Sequence, residues 1–220
     1  MRFAVLSMAT DEMRHLRDLS FPNKQAYCER HGYQWIGATK TRDGSRPPAW
    51  SKIAMLIDIC INRSADWVFW TDADSVIVRP DWKMETLADE SADLVATRDL
   101  NGLNTGVFLM RMGWMTMNFL LDVYSLKQFI RHKWWEQIAM THALSTGWPF
   151  RVKYVDKTLV NAYPDDFREG HSAIIHVPRS ERWPDRLGEI RKCMPMEVPA
   201  TSPEVPATSV ESTRSELASG

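Results

Sequence analysis

A chain of 220 residues is long enough for one domain with a substantial core and too short for two comfortable ones. Its 27 basic and 28 acidic side chains nearly cancel, so no whole-protein field would hold it to nucleic acid or to an anionic membrane, and a polyanionic partner is not expected. Cys28, Cys60 and Cys193 are odd in number, far apart and without a C-x-x-C pair, which reads as reduced thiols in a cytoplasmic protein rather than a disulfide framework or a cysteine metal site.

Phe3 to Met8 is a short apolar run closing on polar residues, as a buried parallel strand does when it delivers Thr10 and Asp11 to a sheet edge. Asp11 and Glu12 follow too soon for a signal peptide. Lys24 to His31 suits a helix closed by Gly32, and Tyr33 to Ile36 the next strand, giving a β-α-β unit. Thr41 to Pro48 is polar, basic and rich in turn formers, hence a loop. From Lys52, the residues Ile53, Leu56, Ile57 and Cys60 fall at helical spacing, predicting an amphipathic helix to about Asn62. Trp67 to Trp70 is continuously apolar, as a central strand covered on both faces would be.

Beyond it, Leu94 to Thr97 and Val107 to Met110 predict strands, Met115 to Tyr124 and Glu136 to Leu144 predict helices, and Val152 to Val155 and Ala173 to Ile175 predict further short strands. No apolar stretch reaches membrane-spanning length, so no integral membrane segment is expected. The ten tryptophans suit both cores and the stacking faces of sugar sites, with the core as the default for each. After Pro195 the chain is mostly Pro, Ser, Thr, Ala, Glu and Val, and Glu197-Val-Pro-Ala-Thr-Ser recurs at Glu204. The expected organisation is therefore one α/β domain over residues 1–194, with ligands at the carboxyl ends of its strands, and a disordered tail over 195–220.

The strongest chemical signal is Asp72-Ala73-Asp74 at the exit of the Trp67 to Trp70 strand. Two carboxylates one residue apart can address one hard cation, which in turn can bridge the two phosphates of a nucleotide sugar and neutralise the leaving diphosphate. An Asp that only caps a turn is the competing account, but two anions at the end of a buried strand repel one another and call for a compensating charge.

Read together, the blocks Asn23-Lys24 with Tyr27 and His31-Gly32-Tyr33, Ala49-Trp50-Ser51-Lys52-Ile53, Trp70-Thr71-Asp72-Ala73-Asp74, Leu103-Asn104-Thr105-Gly106, Trp134-Trp135-Glu136-Gln137, Asn161-Ala162-Tyr163-Pro164 and Ile175-His176 form an ordered set. The set resembles the galactosyl-, xylosyl- and mannosyltransferase family of yeast and plant Golgi enzymes, in blocks, up to about Pro178. The resemblance implies a nucleotide-diphospho-sugar transferase fold of the GT-A type, with a mostly parallel central sheet flanked by helices. It also implies Mn2+ dependence, with Mg2+ as the alternative, and retention of anomeric configuration. It maps the metal ligands onto Asp72, Asp74 and His176; without it, His176 on a short apolar strand reads as a buried core histidine. Members usually follow this histidine with an aromatic residue, another position and glycine, whereas Val177-Pro178-Arg179 stands here. Arg179 could supply a phosphate contact of its own.

By the same resemblance Lys52 faces the donor rather than solvent, and Glu136 and Gln137 lie near the reacting sugar carbon rather than only complementing a helix dipole. Asn104, Thr105 and Gly106 suit close backbone approach to a sugar before a strand, with a plain turn as the alternative. The partners expected are a nucleotide-sugar donor, UDP-linked first and GDP-linked second, with Thr10 and Asp11 at the end of the first strand close to its nucleotide, and a glycan or other hydroxyl acceptor. A retaining transfer needs either a carboxylate nucleophile, for which Glu136 is the candidate, or a front-face path in which the leaving phosphate takes the acceptor's proton while Glu136 or Gln137 stabilises the transition state. Two other classes compete. Asp72-Ala73-Asp74-Ser75-Val76 also fits a phosphatase of the haloacid dehalogenase type with Asp72 as nucleophile, for which Asp165-Asp166 would have to follow a later strand; a sugar-binding domain without catalysis would need no metal.

Overall fold

The computed structural model describes residues 1–179, 181–182 and 184–194; the tail expected over residues 195–220 lies outside the described residues. In chain order the strands are β1 (Phe3–Met8), β2 (Gln34–Ala38), β3 (Trp67–Thr71), β4 (Ser75–Ile77), β5 (Leu94–Asp99), β6 (Gly102–Arg111), β7 (Val152–Tyr154) and β8 (Ile174–His176). The helices are α1 (Arg14–His31), α2 (Ser51–Asn62), α3 (Trp114–Ser125), α4 (Trp135–Ser145), α5 (Lys157–Val160) and α6 (Arg186–Cys193). Six strands form one sheet in the order β2-β1-β3-β6-β5-β7, with β6 alone running against the others. This is the mostly parallel α/β architecture expected.

The alternation of side chains along each strand builds a core on both faces of that sheet. Leu6, Val68, Trp70, Phe108 and Met110 pack with Ile53 and Leu56 of α2, Phe119 and Leu120 of α3, and Met140 of α4. Val5, Trp67, Phe69, Val107 and Leu109 face the other way, against Tyr27 and Cys28 of α1, Ile77 of β4 and Ile174 of β8. All five residues of β3 are buried, which is why its sequence shows no polar alternation. Among the described residues no helix is long and apolar enough to cross a membrane.

Two boundaries differ markedly from expectation. The first helix begins at Arg14 and runs through Pro22, ten residues before the predicted start at Lys24, because Leu16, Ser20, Lys24, Tyr27 and Cys28 make one buried face whose packing outweighs the single hydrogen bond that Pro22 cannot make. Gly32 closes it at φ 70°, as predicted. Strand β6 begins at Gly102, so Asn104, Thr105 and Gly106 lie within a strand, opposite a register shift between Ala96 and Thr97. The pairing of β4 with β8, a second small sheet, and the helices α5 and α6 were not predicted; such short pieces carry too few periods to be read.

Among the described residues strand β4 has no neighbour in its sheet beyond β8, and an amide takes the place of one: Asn23 Oδ1 accepts from Ile77 N–H at 2.7 Å, and Asn23 Nδ2 donates to the Ile77 carbonyl at 2.8 Å. Asn23→Ala leaves both backbone groups unmet and should lower stability by about 2 kcal/mol in urea unfolding; an unchanged midpoint would contradict this role.

Asp93, 4% exposed just before β5, joins the strands on either side of β5 by holding Arg111 of β6 at 2.7 Å and Arg151, just before β7, at 3.1 Å. Burial alone would raise its pKa, but Arg151 and Arg111 overcome that and hold the carboxyl at about 2, below the ordinary 3.8. A depressed folded value stabilises the fold above about pH 4 and is lost as the pH falls toward 2. Chemical denaturation across that window should show a loss in the parent that Asp93→Asn lacks, and parallel curves for the two proteins would refute it.

Candidate functional site

The chain leaves β3 at Thr71 and turns through Asp72-Ala73-Asp74 into β4. The turn is pinned by its backbone. Asp72 N–H donates to the Gly106 carbonyl of β6 at 2.8 Å, and the Asp72 carbonyl accepts from Lys24 Nζ and the Ser75 hydroxyl, both at 2.7 Å. Lys24 is fully buried under this turn and also donates to Ser7 Oγ of β1 at 3.1 Å. Burial pulls its pKa down to about 7 against the attraction of Asp74 and Asp72.

Antiparallel pairing of β4 with β8 sets Ser75 opposite His176, and the Asp74 carbonyl accepts from Val177 N–H at 2.9 Å. A residue a hundred positions away is thereby fixed beside the acidic pair. Asp72, Asp74 and His176 each offer one ligand atom, and these lie within 4.8 Å of one another; His176 Nε2 is 3.3 Å from Asp74 Oδ1. Two carboxylate oxygens and one imidazole nitrogen, with further positions left to phosphate or water, suit a small divalent ion better than Ca2+, which takes six to eight oxygens. The donor set therefore fits a small divalent cation.

Asp74 is 8% exposed. Burial would raise its pKa, yet His176 when its ring is protonated, together with the Arg186 guanidinium, holds it at about 2. Arg186 reaches Asp74 Oδ2 from α6, anchored by its Nε donating to the Val177 carbonyl at 2.9 Å. Helix α6 is in turn seated by Ile190 among Leu16, Val76, Ile175 and Val177.

A second charged group adjoins the first. Lys52, 3% exposed at the start of α2, donates to Glu136 Oε1 at 2.7 Å and to the Thr105 carbonyl at 2.8 Å, and its Nζ is 3.3 Å from Asp72 Oδ1. Those three partners account for the three ammonium hydrogens. Lys52 thus joins Asp72 to Glu136 instead of standing at an open surface. Burial opposes its charge, but Asp72 and Glu136 more than reverse that and raise its pKa. Asp72 Oδ1 also accepts from Trp70 Nε1 at 2.7 Å, and Lys52 Nζ lies 5.0 Å from the Trp70 ring centroid. Gln137 Oε1 accepts from Thr105 N–H at 3.2 Å, so Glu136 and Gln137 meet the Asn104 to Gly106 stretch directly.

Asn104 has no free polar atom: Oδ1 accepts from Gly106 N–H at 2.9 Å and from Asn161 Nδ2 at 2.9 Å, and Nδ2 donates to Asp99 and to Tyr163, each at 2.8 Å. Gly106 does permit a close approach, and the group that approaches is the His176 ring; a Cβ at 106 would fall inside the van der Waals envelope of ring atoms Cε1 and Nδ1. Thr10 follows β1, whose Leu6 pairs with Trp70 of β3, so it leaves the sheet at the same edge as Asp74. Asp11 points outward and pairs with Arg17. Arg179 is exposed just beyond β8.

The sequence reading gave no role to Arg186 and none to Asn161 beyond its place in a block. Nothing in an isolated Arg at the start of a short helix signals an ion pair across 112 positions. Asp165 and Asp166, required by the phosphatase reading to follow a strand, sit in the short turn Pro164–Asp166 and pair with Arg182 and Lys157.

The model of the galactosyl transferase GMA12/MNN10 family matches residues 5–91 and 85–175. The chain belongs to this family. It is 26% identical over 206 residues to an uncharacterized alpha-1,2-galactosyltransferase of Schizosaccharomyces pombe, covering 73% of this chain and 58% of that protein. It is 25% identical over 203 residues to the probable alpha-1,6-mannosyltransferase MNN10 of Saccharomyces cerevisiae, covering 73% and 51%. The chain thus spans little more than half the length of these relatives. Among solved structures, a glycosyltransferase involved in glycosylation of the major capsid of PBCV-1 superposes with a TM-score of 0.70 at 15% identity, covering 88% of this chain and 98% of that one. The galactosyltransferase LgtC, solved with donor and acceptor sugar analogs, gives 0.51 at 11% identity, covering 86% and 95%. The fold is that of the GT-A glycosyltransferases.

Proposed function

We propose that this member of the galactosyl transferase GMA12/MNN10 family transfers a hexose or pentose from a nucleoside diphosphate, UDP first and GDP second, to a hydroxyl of a glycan, with retention of configuration and dependence on Mn2+ or Mg2+. The observation that carries the reading is the convergence of Asp72, Asp74 and His176 within 4.8 Å at the carboxyl edge of β3. A divalent ion held by these three would neutralise the charge that develops on the departing diphosphate. The chain's own groups do the rest. Arg186 lies beside Asp74 and Arg179 is exposed just after β8, and the reading makes both cationic partners for phosphate oxygens. Gly106 is packed against the His176 ring, and the reading puts the donor's sugar toward Thr105, Glu136 and Gln137, which meet one another.

Glu136 is 4% exposed and its Oε1 is held by Lys52. A carboxylate so paired is a poor nucleophile and a good fixed dipole, which supports the front-face path, in which the leaving phosphate takes the acceptor's proton while Glu136 and Gln137 stabilise positive charge on the sugar. The reading includes a cytoplasmic location, for which the three free thiols speak.

Incubation with UDP-sugars and Mn2+, followed by chromatography for UDP and by proton spectra of the released sugar, tests this directly. Metal-dependent UDP release with the donor's anomeric configuration kept is the expected outcome. Release of inorganic phosphate from simple phosphoesters, or sugar binding indifferent to chelation, would sink it.

A further inference from the structure

Resting on the cation reading above, we infer that Asn104 and Asn161 form a two-amide relay that fixes which nitrogen of His176 carries the proton, leaving Nε2 bare toward Asp74 and the ion. Asn161 meets the ring at Nδ1, while Nε2 is the nitrogen beside Asp74, and Asn104 meets Asn161; both act through His176 and are positioning residues.

The argument follows the donors and acceptors one by one. An amide has one acceptor oxygen and two donor hydrogens, whereas a carboxylate accepts and a backbone N–H only donates. Asn104 is gripped at both ends: Gly106 N–H donates to its Oδ1 at 2.9 Å, and the acceptor Asp99 Oδ2 takes a hydrogen from its Nδ2 at 2.8 Å. Its orientation is therefore unique, and its oxygen faces Asn161. The Asn161 group that meets this oxygen, at 2.9 Å, has to be the amide nitrogen. The other Asn161 hydrogen goes to Thr97 Oγ1 at 2.8 Å, a hydroxyl that accepts either way and sets no direction.

Asn161 Oδ1 is left facing His176 Nδ1 at 2.8 Å, and this contact is fully buried. An oxygen there accepts, so Nδ1 carries the hydrogen and the neutral ring keeps its lone pair on Nε2. The opposite tautomer is drawn by Asp74, whose Oδ1 is 3.3 Å from Nε2 and would accept a hydrogen from it. The relay decides this competition in favour of a ring able to ligate. The outer group that fixes a ligating imidazole typically accounts for 10–100-fold in metal affinity. Asp99 is gripped in turn by the Tyr163 hydroxyl at 2.8 Å, which packs its ring 5.8 Å from that of His176.

Imidazole nitrogen spectra of the metal-free protein, at a pH where the ring is neutral, read the tautomer without any ion or sugar. The parent should show a protonated Nδ1 and a bare Nε2 at His176. Asn161→Leu should shift the population toward protonated Nε2 and weaken Mn2+ binding about 10–100-fold, measured by paramagnetic resonance. Asn104→Leu, further from the ring, should move both readouts in the same direction and serves as the second variant should Asn161→Leu not fold. Thr97→Val, which removes an acceptor that sets no direction, should leave the tautomer as in the parent. A His176 pattern unchanged by Asn161→Leu and Asn104→Leu would overturn the relay whatever the ion does. The expected spectra beside a parent that binds no Mn2+ would overturn the cation reading and leave the relay standing.

Discussion

Lys52→Met is expected to lower the free energy of unfolding by about 3 kcal/mol or more, and Lys52→Met combined with Glu136→Gln to recover a good part of that loss. Among the described residues the ammonium of Lys52 is the only cation paired with Glu136, and both side chains are 5% exposed or less. Removing one partner of such a pair strands the other charge in a medium that solvates it badly, which costs far more than the pair itself contributes. Asp72 loses its nearest positive neighbour as well, since Nζ stands 3.3 Å from its Oδ1. Glutamine at 136 keeps the shape and can still accept from Thr105 while carrying no charge, so the double variant no longer buries an unpaired anion. Urea unfolding followed by circular dichroism measures both. A single variant as stable as the parent would mean that Lys52 and Glu136 are solvated and that the buried charge bridge does not exist.

Gly106→Ala is expected to leave the chain folded and to weaken Mn2+ binding by roughly a hundredfold. One methyl group is enough, because a Cβ there meets ring atoms of His176 while the backbone around it is fixed on both sides. The Gly106 carbonyl accepts from Asp72 N–H, and its N–H donates to Asn104 Oδ1. The ring has to yield, and as it does Nε2 leaves the carboxylates. Calorimetry with Mn2+ on a variant of parental thermal stability would show the effect; parental affinity would place the histidine elsewhere in the working protein.

Much of this site was legible because its parts announce themselves locally. The all-apolar run of β3 and the acidic pair after it need no tertiary information, and the ordered blocks carried Asn104, Glu136, Asn161 and His176 as a set. What could not be read was the reason each polar residue is where it is. Lys52 looks like a solvated charge opening a helix, and its burial follows only from the meeting of α2, β3 and α4. Gly106 was read as a point of close approach to a sugar, and one sequence does not say that the group packed against it is an imidazole from β8. Pro22 misled for a related reason: a missing hydrogen bond is a local fact, and the buried stripe from Leu16 to Cys28 that overrides it is not.

The central claim is that Asp72, Asp74 and His176 hold a divalent ion against a nucleoside diphosphate, and it is tested most directly by calorimetric titration of UDP into the parent and into Asp74→Ala, each with and without Mn2+. The parent should bind UDP measurably only with Mn2+, and Asp74→Ala should show the weak, metal-indifferent signal of the chelated parent. UDP binding of equal strength in all four titrations would contradict the account.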